Sequence, residues 1–108
     1  MASDADLKRQ VLAASSQTGE KMWELPLFDE YKEELKSEIA DMKNSGGRPA
    51  GAITAGLFIA AFAENIPWVH IDIAGTTNSE KEVGYNVKGA TGIGVRTLVQ
   101  LARDWVKV

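Results

Sequence analysis

Apolar residues recur at helical spacing at Leu7, Val11 and Ala14, and Gly19 closes the pattern, which predicts a first helix over residues 4–18. Ser3 with Asp6 downstream reads as its capping box. Residues 23–28 contain Pro26 and break the periodicity as a connector. Tyr31, Leu35, Ile39 and Met42 then return to one face while Glu30, Lys32, Glu33, Lys36 and Glu38 take the other, so a surface helix with one buried stripe is predicted over 29–42. Asn44-Ser45-Gly46-Gly47-Arg48 is a turn cluster, and Pro49 suits a first helical position. From Ala50 to Ala63 only Thr54 carries a polar side chain, and a helix apolar on every side must be enclosed by protein. Gly51, Ala55 and Gly56 imply that a neighbour approaches this helix closely, because each glycine costs roughly 1 kcal/mol of helix propensity that packing has to offset.

After Pro67, Val69, Ile71 and Ile73 alternate with Trp68, His70 and Asp72, which predicts a strand over 68–74. Gly75-Thr76-Thr77-Asn78 ends it in a loop. Val83, Tyr85 and Val87 indicate a weaker second strand, and Thr91 opens a last helix carrying Val95, Leu98, Ala102 and Trp105. The predicted class is therefore α/β, helix-rich, with one clear strand at 68–74. A single strand leaves backbone N–H and C=O groups that need partners. Together with the enclosed helix it implies that the 108 residues belong to a larger α/β domain, or pair with further copies or another chain. No repeat or low-complexity run divides residues 1–108, which are read as one segment without an internal boundary.

Composition narrows the chemistry. Twelve Lys and Arg against fifteen Asp and Glu give a formal charge of -3, which is not the broad positive field of a nucleic-acid or anionic-membrane binder. The absence of cysteine excludes disulfides, thiolate metal sites and a thiol nucleophile, and suits a reducing compartment. The apolar run from Ala50 to Ala63 falls short of the ~18 residues that span a bilayer, and MASDADLK has no signal-peptide core, so a cytoplasmic location is expected. A Ser-His-Asp site would have to be built around the single histidine, His70.

Three local motifs bear on chemistry. Gly46-Gly47-Arg48-Pro49-Ala50-Gly51 opens a helix like an anion cradle but lacks the Lys and Ser or Thr of a P-loop, so it reads first as a tight turn. His70 and Asp72 share a strand face and suit a metal or proton-transfer pair, yet without a third ligand they read as a satisfied structural pair. Gly89-Ala90-Thr91-Gly92-Ile93-Gly94 has its third glycine too soon for a nucleotide loop and reads as a helix entry needing small residues.

Taken together and in order, GEKMWELPL (19–27), KSEIADMKN (36–44), GGRPAGAITAGLF (46–58), PWVHIDIAGT (67–76) and KGATGIGVRTLV (88–99) resemble the C-terminal end of the leucyl aminopeptidase (cytosol aminopeptidase) family. The resemblance runs from about Asp4 to Trp105. It implies a three-layer α/β/α catalytic domain of a hexameric exopeptidase that releases N-terminal residues, leucine prominently, from peptides. Two divalent cations, zinc or manganese, would bind the free amino group and the scissile carbonyl and activate a bridging water.

In that family the metal ligands and the catalytic Lys and Arg lie upstream, in an Asn-Thr-Asp-Ala-Glu-Gly-Arg string and an earlier Lys- and Asp-bearing segment. This chain carries neither, so the resemblance implies no metal ligand and no catalytic residue on it, and an inactive chain in isolation. It also implies that Ala74 and Thr77 line the pocket for the substrate's N-terminal side chain, with Gly75 and Thr76 in the same loop, and that His70 and Asp72 are not ligands. The implied partners are the rest of the catalytic domain, further subunits and peptide substrates. An alternative reading is a non-catalytic interaction module that self-associates through its unpaired strand and apolar helix.

Overall fold

A computed structural model describes residues 1–105. In chain order it contains helix α1 (Ala5–Thr18), a 3-10 helix (Asp29–Leu35), helix α2 (Gly51–Ala63), strands β1 (Asn78–Ser79) and β2 (Gly89–Ala90), and helix α3 (Val95–Arg103). The helix-rich α/β class holds. Two compact units are distinguishable. One comprises residues 1–8 and 23–71, the other residues 9–22 and 72–105.

In the first unit, the start of α1 is capped by Asp4, whose carboxylate accepts the Leu7 N–H at 2.7 Å. Ser3, the predicted cap, is engaged elsewhere: its hydroxyl accepts the Trp68 N–H at 2.9 Å. The core of this unit is Leu35, Ile53 and Leu57, with Leu27, Tyr31, Met42 and Phe58 packed around them. The predicted helix over 29–42 is a 3-10 helix that stops at Leu35. The Ser37 hydroxyl accepts the N–H groups of Ile39 and Ala40 at 3.3 and 3.2 Å, and the Lys43 N–H donates to the Leu35 carbonyl at 2.8 Å. These bonds take the groups that would have continued a helix. The helical stripe accordingly fails at Ile39, which is 98% exposed.

Gly46 lies against the start of α2: a Cβ there would sit 3.0 Å from Thr54 Cγ2 and 3.1 Å from Glu34 Cβ. The turn needs glycine for space. Ala50 precedes α2 in the left-handed region with φ 52°. Helix α2 buries Ile53, Thr54, Gly56 and Leu57, whereas Ile59 and Phe62 are exposed, Phe62 by 67%. The expected enclosure on every side is therefore not met among the described residues; one face is covered and the opposite one is open. The expected close neighbour is found at Gly56, where a Cβ would meet the Met1 side chain at 3.2 Å and the His70 ring at 3.6 Å.

Among the described residues, the strand predicted over 68–74 forms one bridge, Val69 with Ala2, flanked by Ser3 N–H to Trp68 O and His70 N–H to Met1 O, both 3.0 Å. Residues 71–73 join no ladder among the described residues. The alternation is present, but residues 1–3 supply a neighbour along one short stretch only. The weaker strand expected at Val83, Tyr85 and Val87 is instead a turn in which Val83 and Asn86 exchange both backbone hydrogen bonds at 3.0 Å, and all three side chains are exposed. Gly84 supports that turn with φ 60°. The ladder of this second unit lies on either side of the turn, where β1 and β2 pair antiparallel with Asn78 opposite Ala90 and Ser79 opposite Gly89.

Candidate substrate loop and a buried carboxylate

The loop singled out for substrate contact, Ala74 to Thr77, is exposed and tightly hydrogen bonded. Asp72 folds its carboxylate back to accept the Ala74 N–H at 2.9 Å, the side-chain-to-backbone turn that aspartate favours. The Thr76 N–H and hydroxyl both donate to the Ile73 carbonyl, at 2.9 and 3.1 Å. The Thr77 hydroxyl donates to the Ala74 carbonyl at 3.4 Å. From across the β1–β2 ladder, Thr91 donates its N–H to Thr77 O at 2.9 Å and its hydroxyl to Thr76 O at 2.6 Å. The four predicted pocket residues are thus on one braced turn.

The other sequence candidates have structural partners of their own. Asp72 is spent on the Ala74 amide, and the His70 ring lies near Gly56. Among the described residues no three His, Cys, Asp or Glu side chains are grouped to hold a metal ion. The turn 46–51 leads directly into α2 and is shaped by the contact of Gly46 with Thr54.

Sequence reasoning missed the most strongly organised polar group. Glu20, just past the end of α1, is 2% exposed. Its Oε2 accepts the Thr97 N–H at 2.9 Å and the Thr97 hydroxyl at 2.7 Å, while Oε1 accepts Arg96 Nε at 3.3 Å. The Arg96 guanidinium lies 4.3 Å over the Tyr85 ring centre and donates to the hydroxyl of the same residue at 2.9 Å; a planar cation over an aromatic face is a favourable pairing. Helix α3 begins after Gly94, which sits at φ 89° and has no side chain with which to cap it. Thr97 is in the first turn, so Glu20 supplies from a distance the acceptor and the negative charge that a helix start favours. Burial pushes the Glu20 carboxyl upward, but the hydrogen bonds from the Thr97 side chain and backbone and from Arg96 outweigh it and hold the group below its ordinary value. Thr97 itself is fully buried. The sequence pattern opens this helix at Thr91 and carries it to Trp105, but the helix runs from Val95 to Arg103, after Gly94, so the need for a remote cap was not visible in it.

A braced, solvent-facing turn and a helix held by a buried carboxylate are the most organised polar features of this helix-rich α/β chain. Comparison with known proteins gives its family. Residues 1–99 match the profile described as "Cytosol aminopeptidase family, catalytic domain". The chain is 61% identical over 99 residues to a probable cytosol aminopeptidase of Alkaliphilus metalliredigens, covering 92% of this chain and 20% of that protein. A probable cytosol aminopeptidase of Solibacter usitatus is 55% identical over 104 residues, 96% of this chain and 22% of its own. Among solved structures, the bottromycin maturation enzyme BotP, in complex with Mn, superposes with TM-score 0.86 at 38% identity over 94% of this chain and 23% of that one. A tomato leucine aminopeptidase variant superposes with TM-score 0.82 at 42% identity over 93% and 19%. The chain belongs to the cytosol aminopeptidase family, and it spans about one fifth of the length of the relatives it matches. Membership favours the peptidase reading over a free-standing interaction module. No helix among the described residues is long and apolar enough to cross a membrane.

Proposed function

We propose that this chain is the C-terminal portion of the catalytic domain of a leucyl aminopeptidase: a three-layer α/β/α, cytoplasmic, hexameric enzyme that uses two divalent cations, zinc or manganese, to release N-terminal residues from peptides. The observation that carries the reading is the 61% identity over 99 residues to a probable cytosol aminopeptidase. The Mn in the BotP structure favours manganese as one metal. The metals and the groups that act on the peptide bond belong to the rest of the enzyme, and this chain contributes helices and the loop 74–77.

In that loop the methyl group of Ala74 leaves room for a branched apolar side chain. The Thr77 hydroxyl, engaged by the Ala74 carbonyl at 3.4 Å, is compatible with an apolar pocket wall. The open faces of α2 (Ile59 and Phe62) and of α3 (Val95, Leu98 and Val99) are where the remainder of the domain packs, since apolar surface of this extent is seldom left to water.

The test is a graft in which residues 1–99 replace the matching segment of the Alkaliphilus metalliredigens relative. The graft is expected to hydrolyse leucine p-nitroanilide with Mn2+ and to lose that activity to a chelator, while the 108-residue chain alone hydrolyses none. A graft that melts cooperatively like the relative yet cleaves nothing overturns the reading. Chelator-sensitive hydrolysis by the isolated chain does so as well.

A further inference from the structure

We infer that Thr91 is a positioning residue for the substrate loop, acting through the carbonyls of Thr76 and Thr77. The inference rests on the reading of residues 74–77 as a pocket. The loop's own hydrogen bonds, Ala74 N–H to Asp72 and Thr76 N–H to Ile73 O, fix its local turn. They do not fix where the turn sits relative to α3. The ladder that would do so is short, with only Asn78 opposite Ala90 and Ser79 opposite Gly89.

Thr91 extends it by two steps. Its N–H reaches Thr77 O at 2.9 Å, the next bond along the ladder, and where the backbone pairing ends its hydroxyl reaches Thr76 O at 2.6 Å. The same hydroxyl accepts the Ile93 N–H at 3.3 Å, so both its roles are filled and its rotamer is held. A few residues on, α3 is anchored by Glu20 through Thr97 at 2.7 and 2.9 Å. A continuous path therefore runs from a buried carboxylate to an exposed loop, and Thr91 is its last link.

Loss of the Thr91 hydroxyl frees groups that water can satisfy, because this bond is exposed. Thr91→Val is therefore expected to change the position of the loop more than the stability of the fold. In the graft described above, the ratio of kcat/KM for leucyl to alanyl p-nitroanilide reads pocket shape and does not depend on the fraction of active enzyme. Thr91→Val is expected to reduce that ratio about three- to tenfold, the size of one lost hydrogen bond, mainly through KM for the leucyl substrate. Thr91→Ser is expected to keep it. In the isolated chain, Thr91→Val should speed hydrogen exchange of the Thr76 amide by a similar about threefold or more, and Thr91→Ser should not.

Thr77→Leu, which alters the loop directly, separates the two ideas. If it shifts the ratio while Thr91→Val leaves both ratio and exchange at the parent values, the inference on Thr91 is overturned and the pocket reading stands. If neither substitution moves the ratio, the pocket reading fails and takes the inference with it. A Thr91→Ser variant that behaves like Thr91→Val also overturns it, since the hydroxyl would then not be the agent.

Discussion

Replacing Glu20 tests the most concentrated set of interactions in the molecule. Its carboxylate receives the Thr97 N–H and hydroxyl at 2.9 and 2.7 Å and Arg96 Nε at 3.3 Å, and it is 2% exposed. Glu20→Gln keeps the shape and one acceptor oxygen but removes the charge. Hydrogen bonds to a charged group contribute about 1.5–3 kcal/mol against about 0.5–1.5 for neutral ones, so the substitution is expected to cost about 1–3 kcal/mol. Glu20→Ala removes the acceptor altogether and leaves the buried Thr97 donors without it, which raises the expected cost to about 3–5 kcal/mol. Arg96 is half-exposed and contributes little to either figure, because water screens it.

The assay is urea unfolding of the chain followed by helical circular dichroism, repeated across pH. The folded Glu20 pKa lies below its ordinary value of 4.5, so its contribution is fully present above that value and is lost as pH falls through the folded pKa. The stability gap between the wild-type chain and Glu20→Gln should therefore be constant from neutral pH down to about 5 and close progressively below it. A Glu20→Ala chain within about 0.5 kcal/mol of wild type at pH 7 would refute the remote-cap argument. A gap that widens on acidification would show the sign of the shift to be wrong.

Two further substitutions probe packing. Gly46→Ala places a methyl 3.0 Å from Thr54 Cγ2 and 3.1 Å from Glu34 Cβ, and an overpacking cost of about 1–3 kcal/mol is expected in the same unfolding assay; an unchanged midpoint would mean that the turn relaxes without strain. Phe62→Ala removes a ring that is 67% exposed and tilted against Phe58 at 5.2 Å, so in the isolated chain it should cost only about 1 kcal/mol. In the graft it should cost about 3–5 kcal/mol, the value for a buried aromatic. Equal costs in the two settings would argue that nothing else in the enzyme covers this face of α2.

What was legible in the sequence follows the range of the interactions. Helices α1, α2 and α3 were readable because their signals are local: the Gly19 stop, the turn before Pro49 and the small residues before Val95. The helix over 29–42 was misread because its apolar period is real while the Ser37 hydroxyl claims the amides that would continue it. Glu20 was unreadable because its partner Thr97 lies 77 positions away, and no pattern over a few residues reports such a pairing. The loop proposed as a pocket wall was singled out by family motifs, whereas its brace by Thr91 is visible only in the fold.

One kind of disagreement carries more than an error. Residues 68–74 have a strand's alternation but a single bridge, and residues 50–63 have the composition of an enclosed helix but an open face holding Ile59 and Phe62. Neither pattern is explained by the water it meets here, since isolated strand edges and apolar helix faces are both unfavourable in solvent. Both are explained if the chain's composition is suited to neighbours beyond its own residues. The match to one fifth of a longer family chain supplies that explanation independently. Where local pattern and observed burial part company, the positions involved therefore mark, under the proposed function, the surface that the remainder of the aminopeptidase covers.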